Sequence, residues 1–314
     1  MTDPVAAWPG ELIPAGAGQL FVRSAPASEG AEPALFVHGL GGSATNWTDL
    51  MDLLRKPPAD RPDEPALACE AVDLPGFGFS PVPASGDYSI DAMATAVGDL
   101  IDARGNWPVH LAGNSLGGAV CVRLAARRPD LVRTLTLISP ALPDLRPRLL
   151  PMRLTLLCAP GVGPWALSRL AERVPAQKRA LMMARDVYAD MSLVHPARVA
   201  EEAAELTRRD GLGYADAVLL AAARGLVGEY MRRGPRSLWH DAARVKAPTL
   251  VIYGSHDRLV RPAMAALAAR SFRGARVVVL SRTGHVAMME RPGLVAIQMR
   301  DLFAAARRPA RACG

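Results

Sequence analysis

The sequence predicts an α/β fold, in which a mostly parallel sheet carries helices on both faces. Two observations lead to this prediction. Short runs of β-branched residues and leucine recur along the chain, and longer stretches with helical spacing of apolar residues separate them. Apolar strands that alternate with helices are typical of a parallel sheet that is covered on both faces.

Six runs have the character of such buried strands, and most of them lead directly into Gly, Asp or Ser. In chain order they span residues 35–37, 69–72, 109–112, 135–138, 249–253 and 276–280. Between the second and third runs, apolar residues recur with helical spacing from Ile90 to Ile101, and Ser89 can cap this helix. The pattern therefore predicts strands and helices in alternation, apart from one interruption.

The interruption lies between the fourth and fifth predicted strands. Residues 140–164 hold six prolines, a density that excludes a continuous helix or a central strand. From about residue 165 to 235 the spacing is helical without strands. We therefore predict a helical cap at 141–238, inserted between a first core part at 1–140 and a second core part at 239–314.

The composition is that of a globular protein with a sizeable core. Half of the 314 residues are apolar and 21% are charged, which excludes wholesale disorder. The net charge of +7 does not indicate a nucleic-acid partner, because aromatic residues make up only 5% and leave little for stacking on bases. We interpret paired arginines such as Arg208-Arg209 and Arg232-Arg233 as solvated helix ends.

Neither a metal nor a cofactor is expected. The four cysteines are scattered without a C-x-x-C pair.

A secretory signal begins with a basic region, but residues 1–22 contain no Lys or Arg. Charged residues interrupt every long apolar stretch, so no membrane-spanning helix is expected. We expect a cytoplasmic protein without an integral membrane segment; weak contact with a membrane surface and the oligomeric state stay open.

The segment Gly113-Asn114-Ser115-Leu116-Gly117 fits the pattern G-x-S-x-G. It follows the third predicted strand and precedes a helical run. Its glycines allow a sharp strand-to-helix turn that lifts the serine hydroxyl off the sheet. The start of the helix also favours negative charge that develops there. Ser115 is therefore a candidate nucleophile.

Four further segments follow the ends of predicted strands. Residues 38–42 read HGLGG after the first strand, and residues 73–80 read DLPGFGFS after the second. Asp257 lies in a loop after the fifth strand, and Gly284-His285 follows the sixth. These segments supply a candidate acid and a candidate base.

With these motifs in this order, the sequence resembles the α/β-hydrolase superfamily, specifically its capped, esterase-like and lipase-like serine hydrolases. The resemblance covers about residues 19–140 and 240–305 and leaves the cap outside. It implies the α/β-hydrolase fold and a catalytic triad of Ser115, Asp257 and His285. It also implies an oxyanion hole formed by the backbone N–H groups of Leu40 and Leu116.

The implied function is hydrolysis of a small-molecule carboxylic ester with an apolar acyl chain, through an acyl-enzyme on Ser115. Asp144 and Asp241 stay open as alternative acids, since sequence does not position them. The other histidines, His38 and the acid's neighbour His256 among them, are not expected to react; His38 would support the oxyanion loop.

Two alternative functions stay open. The first is hydrolysis of a carbon–carbon bond, since Asn46-Trp47 and Gly113-Asn114-Ser115 resemble segments of the meta-cleavage-product hydrolases. That group carries a Gly-Pro-Gly turn where this chain has Gly41-Gly42, and Trp in place of Val286. The second alternative is a non-catalytic ligand-binding protein on the same fold.

Overall fold

The computed structural model describes residues 4–59, 61–105, 108–144, 146, 158–159 and 161–307. These residues form an eight-stranded sheet in the order β1-β2-β4-β3-β5-β6-β7-β8. The strands are β1 (Gly10–Ala15), β2 (Gly18–Ser24), β3 (Glu32–Val37), β4 (Leu67–Val72), β5 (Val109–Asn114), β6 (Val132–Ile138), β7 (Thr249–Gly254) and β8 (Arg276–Leu280).

Strands β3 to β8 are parallel, and each contains one of the six predicted runs. The hairpin of β1 and β2 pairs antiparallel at one edge of the sheet and was not predicted. Most residues of β1 are exposed, so this strand lacks the apolar run by which a buried strand is recognised.

The helices in chain order are α1 (Thr48–Leu54), α2 (Ile90–Arg104), α3 (Leu116–Arg127), α4 (Val162–Arg173), α5 (Ala176–Val187), α6 (Pro196–Asp210), α7 (Ala215–Met231), α8 (Leu238–Ala242), α9 (Met264–Ser271), α10 (Ala287–Glu290) and α11 (Pro292–Arg307). Helix α2 begins as predicted, because the hydroxyl of Ser89 accepts a hydrogen bond from the Ala92 N–H at 3.2 Å.

Apolar layers cover both faces of the sheet, in agreement with the predicted fold class. Successive strand residues point to opposite faces, so Leu35 and Val37 join the layer that includes residues of α2 and α3. Phe36 joins the opposite layer, where its ring lies 5.2 Å from that of Trp47. The sheet is therefore enclosed, and its strand ends provide the open edge at which loops can form a site.

Helices α4 to α7 lie between β6 and β7, where the described residues contain no strand. Most of the proline-dense stretch, residues 145, 147–157 and 160, falls outside the described residues, so its predicted lack of a helix is untested there. The apolar cluster that these helices form among themselves is small, comprising Ala180, Val199 and Leu206. They therefore depend on contacts with the sheet domain for their position.

One buried ion cluster makes such a contact. Arg123 of α3 is 2% exposed and lies 2.7 Å from Glu229 of α7. The same guanidinium lies 2.9 Å from Asp241 of α8. Removing Arg123 would take this counter-ion from the buried Asp241 and leave Glu229 with the more exposed Arg232, so this cluster fixes the end of α7 on the core.

In the part of the chain that the structure describes, no single helix is long and apolar enough to cross a membrane. Helices α6 and α7 reach the required length and composition only as a pair, across a bend of 105°.

Candidate active site

Ser115 occupies a sharp turn between β5 and α3. Its backbone has φ 52° and ψ −117°, a conformation that costs a non-glycine residue about 1–3 kcal/mol. The surrounding backbone holds the turn: the Ser115 N–H donates to the Ile138 carbonyl at 3.1 Å, and the Ser115 carbonyl accepts from the Ala141 N–H at 2.9 Å. Within residues 111–120, all of them described, Ser115 alone is not buried. The turn therefore presents the hydroxyl above the sheet, as the motif predicted.

The glycines of the motif are required by close backbone packing. A Cβ atom on Gly113 would lie 2.5 Å from the Gly117 carbonyl oxygen. A Cβ atom on Gly117 would lie 2.3 Å from the carbonyl oxygen of Val37. No side chain fits at either distance, so the start of α3 packs directly against the loop that follows β3.

That loop forms a tight turn with Leu40 at its centre. The Gly42 N–H donates to the Gly39 carbonyl at 3.1 Å, and Gly41 takes the positive φ of 76° that such a turn requires. In a turn of this kind the N–H of Leu40 is not used by the turn itself. A Cβ on Gly39 would lie 3.2 Å from the Cβ of Ser115, so the loop passes next to the serine.

The second predicted donor, Leu116, is the first residue of α3. Its N–H has no acceptor inside the helix, because the first N–H groups of a helix lack a preceding turn. Both donors therefore belong to segments that adjoin Ser115, Leu116 through the chain and Leu40 through the packed Gly39.

His38 supports this loop and both of its ring nitrogens are engaged. Nε2 accepts from the Leu74 N–H at 3.0 Å, so Nδ1 carries the proton and donates to the Gly39 carbonyl at 2.7 Å. Complete burial lowers the pKa of His38 to about 4, despite the hydrogen bond to Gly39. The neutral ring therefore links the loop that follows β3 to the loop at 73–80.

Asp73 organises the loop at 73–80. Its carboxylate accepts from the Ala44 N–H at 2.6 Å and from the Phe79 N–H at 2.9 Å. Burial raises its pKa to about 6, against the effect of these hydrogen bonds. A Cβ on Gly78 would lie 2.0 Å from the carboxylate, which explains the glycine there. Both carboxylate oxygens of Asp73 are therefore engaged in hydrogen bonds that stabilise the loop.

His285 and Asp257 form a buried pair. His285 Nδ1 lies 2.9 Å from Asp257 Oδ2. Asp257 Oδ1 accepts from the N–H groups of Leu259 at 2.8 Å and Val260 at 2.9 Å. Burial alone would raise the pKa of Asp257, but the charge and hydrogen bond of His285 and the Val260 N–H outweigh it, and the pKa is lowered. An ionised Asp257 makes Nδ1 the donor, which leaves Nε2 free to accept a proton.

The alternative acids and the neighbouring histidine are engaged elsewhere. Asp144 accepts from the guanidinium of Arg261 at 2.5 and 2.7 Å, and Asp241 lies in the ion cluster with Arg123. His256 is exposed and hydrogen-bonded to Ser255 at 2.8 Å. The carboxylate that contacts His285 is therefore that of Asp257.

Asn114 links the serine turn to the histidine loop, a role that the sequence analysis did not assign. Its Nδ2 donates to the carbonyl of Ile138 at 3.0 Å and to that of His285 at 3.1 Å. The loop of Asp257 contacts the loop of His285 from the end of β7. A Cβ on Gly254 would lie 2.1 Å from the Gly284 carbonyl oxygen, so the two loops pack closely. These contacts bring the segments of Ser115, Asp257 and His285 together.

Arginines of α6 attach the inserted helices to the loops at 38–42 and 73–80. Arg209 donates to the Gly41 carbonyl at 3.1 Å. Arg208 donates to the Gly78 carbonyl at 2.5 Å, and its guanidinium lies 4.5 Å from the centre of the Phe79 ring. The interpretation of Arg208-Arg209 as a solvated helix end was therefore wrong. Sequence shows that the pair ends a helix, but it does not show which carbonyl groups lie within reach.

Arg232, of the pair Arg232-Arg233, also binds to the core. It donates to Asp91 of α2 at 2.7 Å and lies 3.1 Å from Glu229.

Among the described residues, no group of three or more His, Cys, Asp and Glu side chains is arranged to hold a metal ion.

Comparison with known proteins identifies the fold family of the chain. The profile of the α/β-hydrolase fold family matches residues 33–292. The chain is 26% identical over 266 residues to lipase 3 of Moraxella sp. (strain TA144), covering 82% of this chain and 73% of that protein.

Two solved structures are similar in fold. A putative lipase from Acinetobacter baumannii AYE has a TM-score of 0.76 at 18% identity, over 96% of this chain and 92% of that one. The 2-hydroxy-6-oxo-6-phenylhexa-2,4-dienoate hydrolase of Rhodococcus sp. strain RHA1 has a TM-score of 0.73 at 20% identity, over 94% and 98%.

Proposed function

The chain belongs to the α/β-hydrolase fold family, and we propose that it is a serine hydrolase that cleaves carboxylic esters. Ser115 is the nucleophile, His285 the general base and Asp257 the acid that orients it. One observation carries the proposal: a serine held at φ 52° at the end of a strand, on a turn that Asn114 ties to a buried His–Asp pair. The similarity to a lipase at 26% identity supports ester chemistry.

In the first half of the reaction, Ser115 Oγ attacks the carbonyl carbon of the ester while His285 Nε2 takes the hydroxyl proton. The carbonyl oxygen becomes an oxyanion that the N–H groups of Leu40 and Leu116 stabilise, each by about 10²- to 10³-fold in rate. The bond to the leaving oxygen then breaks, and His285 gives its proton to the departing alcohol. The product is an acyl-enzyme on Ser115.

In the second half, water enters and loses a proton to His285 Nε2 as it attacks the acyl carbon. The oxyanion forms in the same place, and its collapse releases the carboxylic acid while the proton returns to Ser115 Oγ. Asp257 stays ionised throughout and stabilises the imidazolium that forms in each half. The lowered pKa of Asp257 is in accord with that role.

An apolar acyl chain suits the walls that α7 provides. Leu219 Cδ1 lies 3.6 Å from the position of a Cβ on Gly41, and Val218 Cγ1 lies 2.9 Å from that of a Cβ on Gly76. Both aliphatic side chains therefore lie against the two loops that border the serine. An aliphatic acyl group that binds there would displace water and contact these apolar side chains, which favours binding.

The same proposal divides the chain into a core at 1–140 and 239–314 and a cap at 141–238. Two features support this division: the sheet strands lie on either side of the inserted helices, and α6 and α7 border the site through Arg209 and Leu219. The cap is then the part of the chain that selects the substrate.

A panel of p-nitrophenyl esters with acyl chains of graded length tests the proposal, beside amide, thioester and vinylogous diketone substrates. Ser115→Ala and His285→Ala should each lose several decades of kcat while folding normally. His256→Ala is the matched control for the histidine and should keep full activity. We expect kcat/KM for short- to medium-chain esters to exceed that for a vinylogous diketone acid by about 100-fold. A higher kcat/KM for the vinylogous diketone acid would contradict ester hydrolysis and support carbon–carbon bond hydrolysis as the function.

A further inference from the structure

Glu290, at the end of α10, is buried, and the hydrogen-bond donors that the structure describes for its carboxylate are backbone N–H groups. It is 4% exposed. Oε2 accepts from the Gly284 N–H at 2.6 Å, and Oε1 accepts from the Asp190 N–H at 3.0 Å. The Ala189 N–H lies 3.2 Å from both oxygens. One carboxylate thus joins the loop of His285 to cap residues about 100 positions earlier in the chain.

The same cap segment also contacts His285 itself. The His285 N–H donates to the carbonyl of Val187, the last residue of α5, at 2.7 Å. The fit is close, because a Cβ on Gly284 would lie 2.3 Å from that carbonyl oxygen and 2.7 Å from the Ala189 nitrogen. Residues 187–190 of the cap therefore form one wall of the histidine loop.

The backbone of His285 is consequently held from three sides. Val187 accepts from its N–H, Asn114 donates to its carbonyl, and Glu290 accepts from the N–H of the preceding Gly284. We propose that Glu290 is a positioning residue for the reaction, which clasps cap residues 187–190 to the loop of the general base and so fixes His285 through the cap. This inference rests on the role of His285 in the proposed function.

The clasp requires a carboxylate for a chemical reason. Three N–H donors converge on Glu290, and an ionised carboxylate offers only acceptor sites. A glutamine of the same shape would turn an amide NH₂ toward at least one of these donors and leave it buried without an acceptor. The segment 187–190 and Gly284 would then separate, and the imidazole would shift relative to Ser115.

A displacement of about 1 Å at a reacting group can cost on the order of 10²-fold in rate. For Glu290→Gln we therefore expect kcat to fall by about 10- to 100-fold. KM should stay within about threefold, because the carboxylate of Glu290 is buried and contacts backbone N–H groups.

The matched control is Glu229→Gln. Glu229 is also a buried carboxylate between cap and core, 1% exposed, but its partners are the guanidinium groups of Arg123 and Arg232, and in the described part of the chain it forms no hydrogen bond or ion pair with the histidine loop. Both variants should lower the midpoint of urea unfolding. Only Glu290→Gln should lower kcat at unchanged KM.

A second readout does not depend on any substrate: the downfield proton resonance of the His285–Asp257 hydrogen bond in the NMR spectrum. Glu290→Gln should shift or broaden this resonance, and Glu229→Gln should leave it as in the native protein. If the chain hydrolyses no ester, the proposed function fails, whereas the resonance still tests the clasp.

Ala189→Pro provides an independent variant that retains the charge of Glu290. It removes one of the N–H donors, and Tyr188 already has the extended backbone, φ −91° and ψ 144°, that a residue before proline requires. It should reproduce the change in resonance and in kcat, and it decides the matter if Glu290→Gln fails to fold. A native resonance with native kcat in either folded variant would overturn the proposal.

Discussion

The substitution His38→Gln should change the pH dependence of stability by a calculable amount. The folded pKa of His38 is about 4, whereas an unfolded histidine titrates near 6.5. The folded state therefore binds fewer protons than the unfolded state between these values, so stability is full above pH 6.5 and is lost as the pH falls toward 4. A difference of about 2.5 pKa units corresponds to roughly 3 kcal/mol. Glutamine can still accept from the Leu74 N–H but does not titrate.

The assay is urea unfolding of both proteins at several pH values between 7 and 4, at fixed ionic strength. The quantity to plot is the difference between their free energies of unfolding. Subtraction matters because the pKa of Asp73 is raised to about 6, and its contribution has the opposite sign: stability falls as the pH rises from 3.8 to 6. The native protein should lose about 3 kcal/mol relative to the variant between pH 7 and 4. A difference that stays constant with pH would refute the account of His38 as a buried neutral ring.

Three further substitutions test other contacts of the site and the cap. Asn114→Ala removes the donor to the His285 carbonyl, so kcat/KM should fall about 10-fold or more, and the loss of a buried hydrogen bond should cost about 1–3 kcal/mol of stability; unchanged ester kinetics would contradict the link. Gly117→Ala places a Cβ 2.3 Å from a carbonyl oxygen and should lower the thermal midpoint sharply, which calorimetry would detect. Arg123→Met should cost about 3–5 kcal/mol in urea unfolding, since Glu229 loses its buried partner, and a loss under 1 kcal/mol would contradict the role of the ion cluster.

The sheet and the sharp turn at Ser115 could be predicted because their signals are local. A buried strand shows as a short apolar run, and all six runs lie in parallel strands. The turn at Ser115 needs glycine where the backbone packs most closely, and the motif records this need at Gly113 and Gly117. Asp257 and His285, the candidate acid and base, lie in the loops after β7 and β8, because the ends of parallel strands meet at one edge of the sheet.

Contacts between distant parts of the chain could not be predicted. Asn114 and His285 are 171 positions apart, and Glu290 and Ala189 are 101 apart. A donor and an acceptor at such separation leave no pattern in one sequence. The outer hairpin strand β1 was missed for a different reason, since its exposed residues lack an apolar run.

The arginines of the proposed cap illustrate the same limit. Charge counting detects the arginines, but only the folded chain shows that Arg209 and Arg208 bind loop carbonyl groups and that Arg198 lies 2.5 Å from Asp49. These side chains hold the cap on the core. Their charge is therefore engaged in structure rather than left free on the surface.

The measurement that tests the central claim most directly is covalent labelling by a fluorophosphonate, followed by intact-mass analysis and peptide mapping. We predict one label per chain, on Ser115, with a rate that falls by several decades in His285→Ala and no label in Ser115→Ala. Asp257→Asn should also label slowly, whereas His256→Ala should label as fast as the native protein. Labelling of another residue, or an undiminished rate in His285→Ala, would contradict the assignment of Ser115, His285 and Asp257 as one catalytic unit.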